Sequence, residues 1–387
     1  MLLAAILGWG ILTLWAPARW PLAVFQTALF ALAAARIVGR ARAGQATRAH
    51  PVALLLGAAV AWGGVQIVAG WSVDPDKTVE AVLAWVANLC AFAVALDLSR
   101  DTRERLLQSL VIFAAALAVV SVFTALASSP GKVFWLYETS TEQPTLGPFV
   151  YRNQYAAFVE AVLPLALVRA ILDRRRWILY MAITALLFGS VIAAGSRAGA
   201  VLCLAEIVLV PTLVFARGFI PAGTWWRATA GTVVAAAALT ATVGWQSIWN
   251  RLQEPNPYAL RRELVESSLE MIRDRPVTGL GLGTWSSAYP AYAHFDDGRF
   301  VNQAHNDWVQ WAAEGGAPFF LLMLGVALWS IRPALRSIWG VGLLIVFVHC
   351  LVDYPMQQRP ALAAFFFALL GALAAAEHGK PDSSTGP

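Results

Sequence analysis

Windows of about 20 consecutive, mostly apolar residues, the length a helix needs to cross a bilayer, recur along this chain. Trp20 to Gly39, Pro51 to Gly70, Thr78 to Leu98 and Leu106 to Ser128 are four of them. Composition agrees with lipid as the solvent: 59% of the residues are apolar, only 13% are charged and the mean hydropathy is +0.62, outside the range of an ordinary soluble domain. The fold class expected is therefore all-α, a polytopic transmembrane helical bundle of about twelve spanning helices. The spans fall near 1–16, 20–39, 51–70, 78–98, 106–128, 153–171, 177–195, 199–216, 225–246, 308–331, 337–351 and 360–376. Met1 to Ala16 lacks a basic segment before it and reads as a retained first helix, not a cleaved leader. Cys90, Cys203 and Cys350 stand alone, without the spacing of a disulfide framework or a thiolate metal site.

Arginine and lysine collect in cytoplasmic loops. Placing the N-terminus inside puts Arg40, Arg42 and Arg48, then Arg100, Arg103 and Arg105, then Arg174 to Arg176, then Arg217, then Arg332 and Arg336 on one side, with more than half of the 28 basic residues. Short outer loops keep only Arg19, Lys77, Lys132, Arg152, Arg197 and Arg359. A long connection, 247–307, then lies outside the membrane; long loops in compact proteins tend to serve as lids or binding elements. Within it, Leu260 to Arg273 predicts a surface helix with Leu264, Val265, Leu269 and Ile272 on its apolar side, stopped by Pro276. The polar tail, residues 377–387, reads as disordered.

Four features gather on the outer side. Arg197, in Gly195-Ser-Arg-Ala-Gly199, ends a helix at the bilayer boundary, where a guanidinium either snorkels to head groups or grips a diphosphate with its fork of donors. Arg261, Arg262, Arg273 and Arg275 form either a solvated helix face or a second anion grip. The run Gly279-Leu-Gly-Leu-Gly-Thr-Trp285 follows a helix and opens no βαβ unit, so it predicts a tight turn rather than a dinucleotide site. His305 precedes a helix that re-enters the membrane, with Asn306 or Asp307 as its cap; it is either a polar cap itself or an imidazole that takes or orients a hydroxyl proton. Glu314 lies about half a turn round the helix from His305 and reads as structural. No His, Asp or Glu spacing predicts a metal site, and no cofactor is expected.

Taken in order, these residues resemble the O-antigen ligase and polymerase superfamily of bacterial envelope glycosyltransferases. The resemblance runs from Gly147-Pro-Phe-Val-Tyr-Arg-Asn-Gln-Tyr-Ala-Ala157 through Gly195 to Gly199, Arg261, the glycine turn, His305-Asn306 and Glu314-Gly315, and closes on Val352-Asp-Tyr-Pro355. It divides the chain into N-terminal helices (1–146), a ligase-like membrane domain (147–376) containing periplasmic loop 247–307, and the cytoplasmic tail. It implies transfer of a glycan from undecaprenyl-diphosphate to an acceptor hydroxyl at the periplasmic face of the inner membrane, lipid A core for a ligase or another repeat unit for a polymerase. By the same resemblance Arg197 and Arg261 bind the diphosphate and His305 assists the acceptor, as catalytic residues, with Arg152, Asn153, Arg262, Arg275 and Asn306 as candidate substrate-binding neighbours. Partners are then the lipid-linked glycan, the acceptor and membrane lipids, with no nucleic acid. The chain ends soon after its last helix, which disfavours a protein acceptor. Many members carry a tryptophan four residues after the loop arginine; here Val265 stands there.

A transporter of the lipid-linked glycan is the rival of another class, and it would use ionisable residues inside the spans, such as Glu160 and Glu206. The polar residues nevertheless cluster at the outer edge, which favours chemistry there. No internal repeat of the kind common in secondary transporters is visible.

Overall fold

A computed structural model describes residues 1–46, 49–127, 131–139, 145–223, 259–294, 300–357 and 359–378, with isolated positions between 226 and 238 and at 298. Thirteen α-helices are formed among these residues. They are α1 (Leu2–Leu12), α2 (Trp20–Arg42), α3 (Pro51–Val68), α4 (Pro75–Leu96), α5 (Arg100–Ala127), α6 (Arg152–Leu172), α7 (Trp177–Ala194), α8 (Arg197–Ala216), α9 (Ala259–Asp274), α10 (Trp285–Ala288), α11 (Asp307–Ser337), α12 (Val341–His349) and α13 (Pro360–His378). The only sheet among them is a hairpin pairing Lys132–Val133 with Tyr137–Glu138.

Nine of the helices, α2 to α8, α11 and α13, are long and apolar enough to cross a membrane. Two of the expected spans are shorter than expected: α1 has 11 residues and α12 has 9, rising about 16 and 14 Å at 1.5 Å per residue against a hydrocarbon core of about 30 Å. The expected span at 225–246, the start of the 247–307 connection and the tail beyond residue 378 lie outside the described residues.

Local sequence explains where the helices begin and end. Asp74 accepts from the Lys77 amide at the start of α4, Ser196 from Gly199 at the start of α8, and Asn306 from Val309 at the start of α11; each satisfies an amide that has no partner inside the helix. Gly195 closes α7 in the left-handed region with φ 67°. At one end of the bundle Arg40 pairs with Asp97, Arg169 with Glu104 and Arg336 with Glu377, while the Arg217 guanidinium donates to the Arg336 carbonyl. These are the loops in which the sequence concentrates its arginines, and the residues resembling a site lie at the opposite end.

Lipid offers helices no hydrophobic reason to associate, so close backbone approach through small residues takes that role. A Cβ on Gly371 of α13 would lie 2.2 Å from the Phe92 carbonyl of α4, one on Gly342 of α12 would lie 2.3 Å from the Glu160 carbonyl of α6, and one on Gly199 of α8 would lie 2.4 Å from Ala156 of α6. Helix α6 is consequently a central post, with sixteen of its residues buried.

Helix α11 breaks at Gly316, which has φ 63° and ψ −171°. The break frees carbonyls, and the glycine turn collects them: Leu280 donates to Ala313 and Gly281 to Glu314, while Trp62 of α3 donates to Gly315 and Gln66 to Glu314. The Glu314 carboxylate accepts from the amides of Gly283 and Trp285, so Glu314 is a structural strap. A side chain at 316 would enter the Val277 carbonyl, its Cβ 2.1 Å from the oxygen. Gly316→Ala is therefore expected to cost more than the ~1–3 kcal/mol of a strained backbone alone, seen as a fall of several degrees in the melting temperature of the purified protein.

Helix α9 forms as its pattern predicts, but its buried stripe is turned from the apolar one. Glu263, Leu264, Ser267, Ser268 and Met271 face inward, whereas Leu269 is 40% exposed. Hydrogen bonds decide the rotation: the Trp285 indole donates to Ser268 and the Tyr289 hydroxyl to Glu263, and burial of those polar groups requires the partners they find.

Candidate active site

Five short segments meet at the end of the bundle away from the arginine loops: the start of α6, the α7–α8 turn, the start of α9, the residues before α11 and the link between α12 and α13. Their common point is Asp353, 1% exposed. One oxygen, Oδ2, accepts from the Tyr151 hydroxyl at 2.9 Å, from Arg261 Nη2 at 2.9 Å and from the Asn153 amide. The other, Oδ1, accepts from the Tyr354 amide at 2.9 Å and lies 3.7 Å from His305 Nδ1.

Burial by itself would raise the Asp353 carboxyl's affinity for a proton, but contact with His305 and the charges of His305, Arg261 and His349 outweigh it and hold the group below its ordinary value of 3.8. The Tyr151 phenol is shifted the other way, up, by burial first and then by the Asp353 charge. It therefore stays a donor, and it also receives a hydrogen bond from Asn153 at 3.0 Å. The carbonyl oxygen of that same Asn153 accepts from Ser196 at 2.7 Å. Ser196 caps α8, so the residue immediately before Arg197 is tied through one amide side chain to Asp353.

His305 sits with φ 53°, a left-handed conformation that non-glycine residues rarely adopt. Its neighbours hold it there. The Ala304 amide donates to Gln310, and Asn306 both caps α11 and donates to the Leu351 carbonyl. The imidazole meets the Tyr354 ring edge-on at 4.7 Å, Tyr354 stacks on Tyr151 at 5.2 Å, and Nδ1 is 3.5 Å from the Tyr151 hydroxyl. The side chain is 21% exposed, leaving its far edge accessible.

Of the eight residues singled out in the sequence, the structure joins Asn153, Arg261 and His305 directly around Asp353. Arg197 and Arg152 stand at the first positions of α8 and α6 beside them, both partly buried. Between the two adjacent arginines of α9 the geometry chooses Arg261, since Arg262 points to the exposed side. Arg275 stands apart from this cluster. Fourteen residues along from Arg261, it is about 21 Å away down the helix axis, and its guanidinium donates to the Trp71 carbonyl at 2.8 Å, so the two cannot hold one diphosphate. Asn306 is engaged at both ends of its side chain, by the α11 cap and by the α12–α13 link.

Asp353, Tyr151, Tyr354 and Ser196 are given no role by sequence reasoning. A carboxylate among the eight residues between the two expected spans 337–351 and 360–376 was the available signal. Among the described residues no group of three His, Cys, Asp or Glu is placed to hold a metal ion.

Residues 182–324 match the family described as O-antigen ligase. That stretch is somewhat more than a third of the chain, and over it the chain is similar to the O-antigen ligase family. The matched stretch runs from within α7 to beyond the break in α11 and so contains Arg197, Arg261, His305 and Glu314, while Tyr151, Asn153 and Asp353 lie to either side of it. That family is one of membrane glycosyltransferases of the ligase and polymerase type, whose partners are in general lipid-linked glycans and lipid A core. No curated protein matches the chain.

Proposed function

We propose that this chain is a member of the O-antigen ligase superfamily and transfers a glycan from an undecaprenyl-diphosphate carrier to a hydroxyl of lipid A core, at the periplasmic face of the inner membrane, without a metal and with inversion at the anomeric carbon. The observation that carries the reading is the gathering of Arg261, Asn153, Tyr151 and His305 around the ionised Asp353, with Arg197 one residue from the Ser196–Asn153 link. In the reaction the acceptor oxygen attacks the anomeric carbon, the bond from that carbon to the carrier phosphate breaks, and the diphosphate leaves with the electron pair. Arg261 spends one donor on Asp353 and keeps the rest of its five for the leaving group, with Arg197 as the second cation. Asp353 orients His305 through Nδ1, which leaves Nε2 to take the hydroxyl proton. A sugar donor held by a membrane lipid suits a site at the bundle end, where no nucleotide sugar is needed.

Arg197→Ala and His305→Ala are each expected to abolish transfer with the protein present in the membrane at normal amount, read from a lipopolysaccharide gel and from polymer retained on the carrier. Full transfer in both variants would overturn the mechanism. The same gel of a deletion strain separates ligase from polymerase. Loss of the ladder with long carrier-linked polymer indicates a ligase; core bearing a single repeat indicates a polymerase.

A further inference from the structure

A second basic feature lies at the same end of the bundle, outside the Asp353 cluster. Arg359, at the start of α13, lines a groove of about 140 Å³ whose opposite wall is the α1–α2 turn with Arg19, over a floor that includes Phe25. The Arg359 guanidinium is partly buried, and among the described residues no carboxylate lies within ion-pair distance of it. Burial lowers its hold on its proton against a smaller opposing pull from Tyr354, as for a cation drawn partly out of water. Arg19, by contrast, is exposed and pairs at the surface with Glu80. The first residues of α13, Pro360 and Ala361, also line the groove and bring the positive end of a 19-residue helix to it.

The depth of the groove is marked independently. Trp9 and Trp20, 38% and 61% exposed, flank the same turn with their rings 6.0 Å apart, and tryptophans facing outward at helix ends sit at the level of lipid head groups. One turn further into α2 than Trp20, Val24 is open to the hydrocarbon side. A cation at head-group depth, above an apolar surface and beside a helix N-terminus, is complementary to an anion that is carried on a lipid.

We propose that this groove binds the phosphate of a lipid head group, with Arg359 as its main ligand and Arg19 as its outer one. The groove adjoins the active site, for the Arg359 charge acts on the Tyr354 phenol and Tyr354 packs against His305. Resting on the transfer reading, the lipid in question is the phosphorylated glycolipid acceptor, its sugar presented to His305 from the Tyr354 side.

The test uses the full chain in nanodiscs of zwitterionic lipid, with retained lipid measured by native mass spectrometry and no sugar donor present. Wild type is expected to retain lipid A over its enzymatically dephosphorylated form by about tenfold. Arg359→Gln is expected to lose that preference, a change of ~1.4 kcal/mol, Arg359→Lys to recover part of it, and Arg19→Gln to lower it less. Equal retention in wild type and Arg359→Gln, or of the two forms by wild type, overturns the site; so does displacement of the lipid by inorganic phosphate alone. Retention of phosphatidylglycerol as tight as that of lipid A upholds the lipid-phosphate site and overturns the acceptor assignment. Because no donor is present, the groove stands or falls separately from the transfer reaction.

Discussion

Asp353→Asn should lower glycan transfer by about 10²–10⁴-fold, the range that general acid–base groups contribute, while the protein still inserts and accumulates. Asparagine keeps the shape of the side chain, so with its carbonyl oxygen in the Oδ2 place the bond from Tyr151 persists, while its amide nitrogen stands where Oδ1 accepted from the Tyr354 amide. It lacks the charge that partners Arg261 and the second acceptor oxygen that faces His305 at 3.7 Å. An imidazole whose orienting carboxylate is replaced by an amide is held in the wrong tautomer as readily as in the right one, which is how such substitutions reduce rate without disturbing the fold. The measurement is transfer to acceptor in membranes matched for protein amount. A rate like that of wild type would remove Asp353 from the machinery. Asp353→Glu, which restores charge with a longer reach, should recover activity partly; a purely structural role would make it as harmful as any overpacked side chain at a 1% exposed position.

The same carboxylate gives a pH signature in stability. Its folded-state value is lowered below 3.8, so its contribution is fully present above that pH and is lost as the pH falls through the folded value. Wild type should therefore lose melting temperature below about pH 4 more steeply than Asp353→Asn, and the two curves should run parallel above pH 5.

How far the sequence discloses this site depends on whether a residue's task is local or distant. The spanning helices were legible because about 20 apolar residues in a row admit one solution in lipid, and a cap at Asn306 or Asp307 because a cap acts within three residues. The choice of Arg261 over Arg262 was not legible, since adjacent helical residues differ by about 100° in direction and only the packing of α9 fixes which points inward. That packing was itself hidden. Apolar Leu269 is turned outward and Ser267 and Ser268 inward by hydrogen bonds to residues up to some thirty positions away, and no periodicity of hydrophobicity encodes those. Asp353 was the largest omission for a related reason: its partners come from α6, α9 and the start of α11, up to 202 positions distant, and only a fold brings them together. The two shortened helices, α1 and α12, show the converse, because an apolar run licenses a span without requiring one.

Glu160 and His349 offer the largest expected effect on stability. They are 0% exposed, inside the bundle, with His349 Nδ1 at 2.8 and 2.9 Å from the two carboxylate oxygens. The pair joins α6 to α12, and both helices lead directly into the site. Asn153 lies at the start of α6, while the His349 carbonyl at the end of α12 accepts from the Val352 and Asp353 amides. Removing one member leaves the other without its partner in a medium that cannot solvate it, at a cost of about 3–5 kcal/mol; Glu160→Ala and His349→Ala are each expected to lower the melting temperature by several degrees and to reduce transfer as Asp353 loses its support. Replacing both by leucine removes the polar groups together and should restore most of the stability, because a buried pair exchanged for packed apolar groups is often neutral. Transfer in the double variant then separates two roles. Recovery along with stability makes the pair a strut that positions Asp353, whereas a stable and inactive double variant would show that the buried imidazole or carboxyl is needed for the reaction itself.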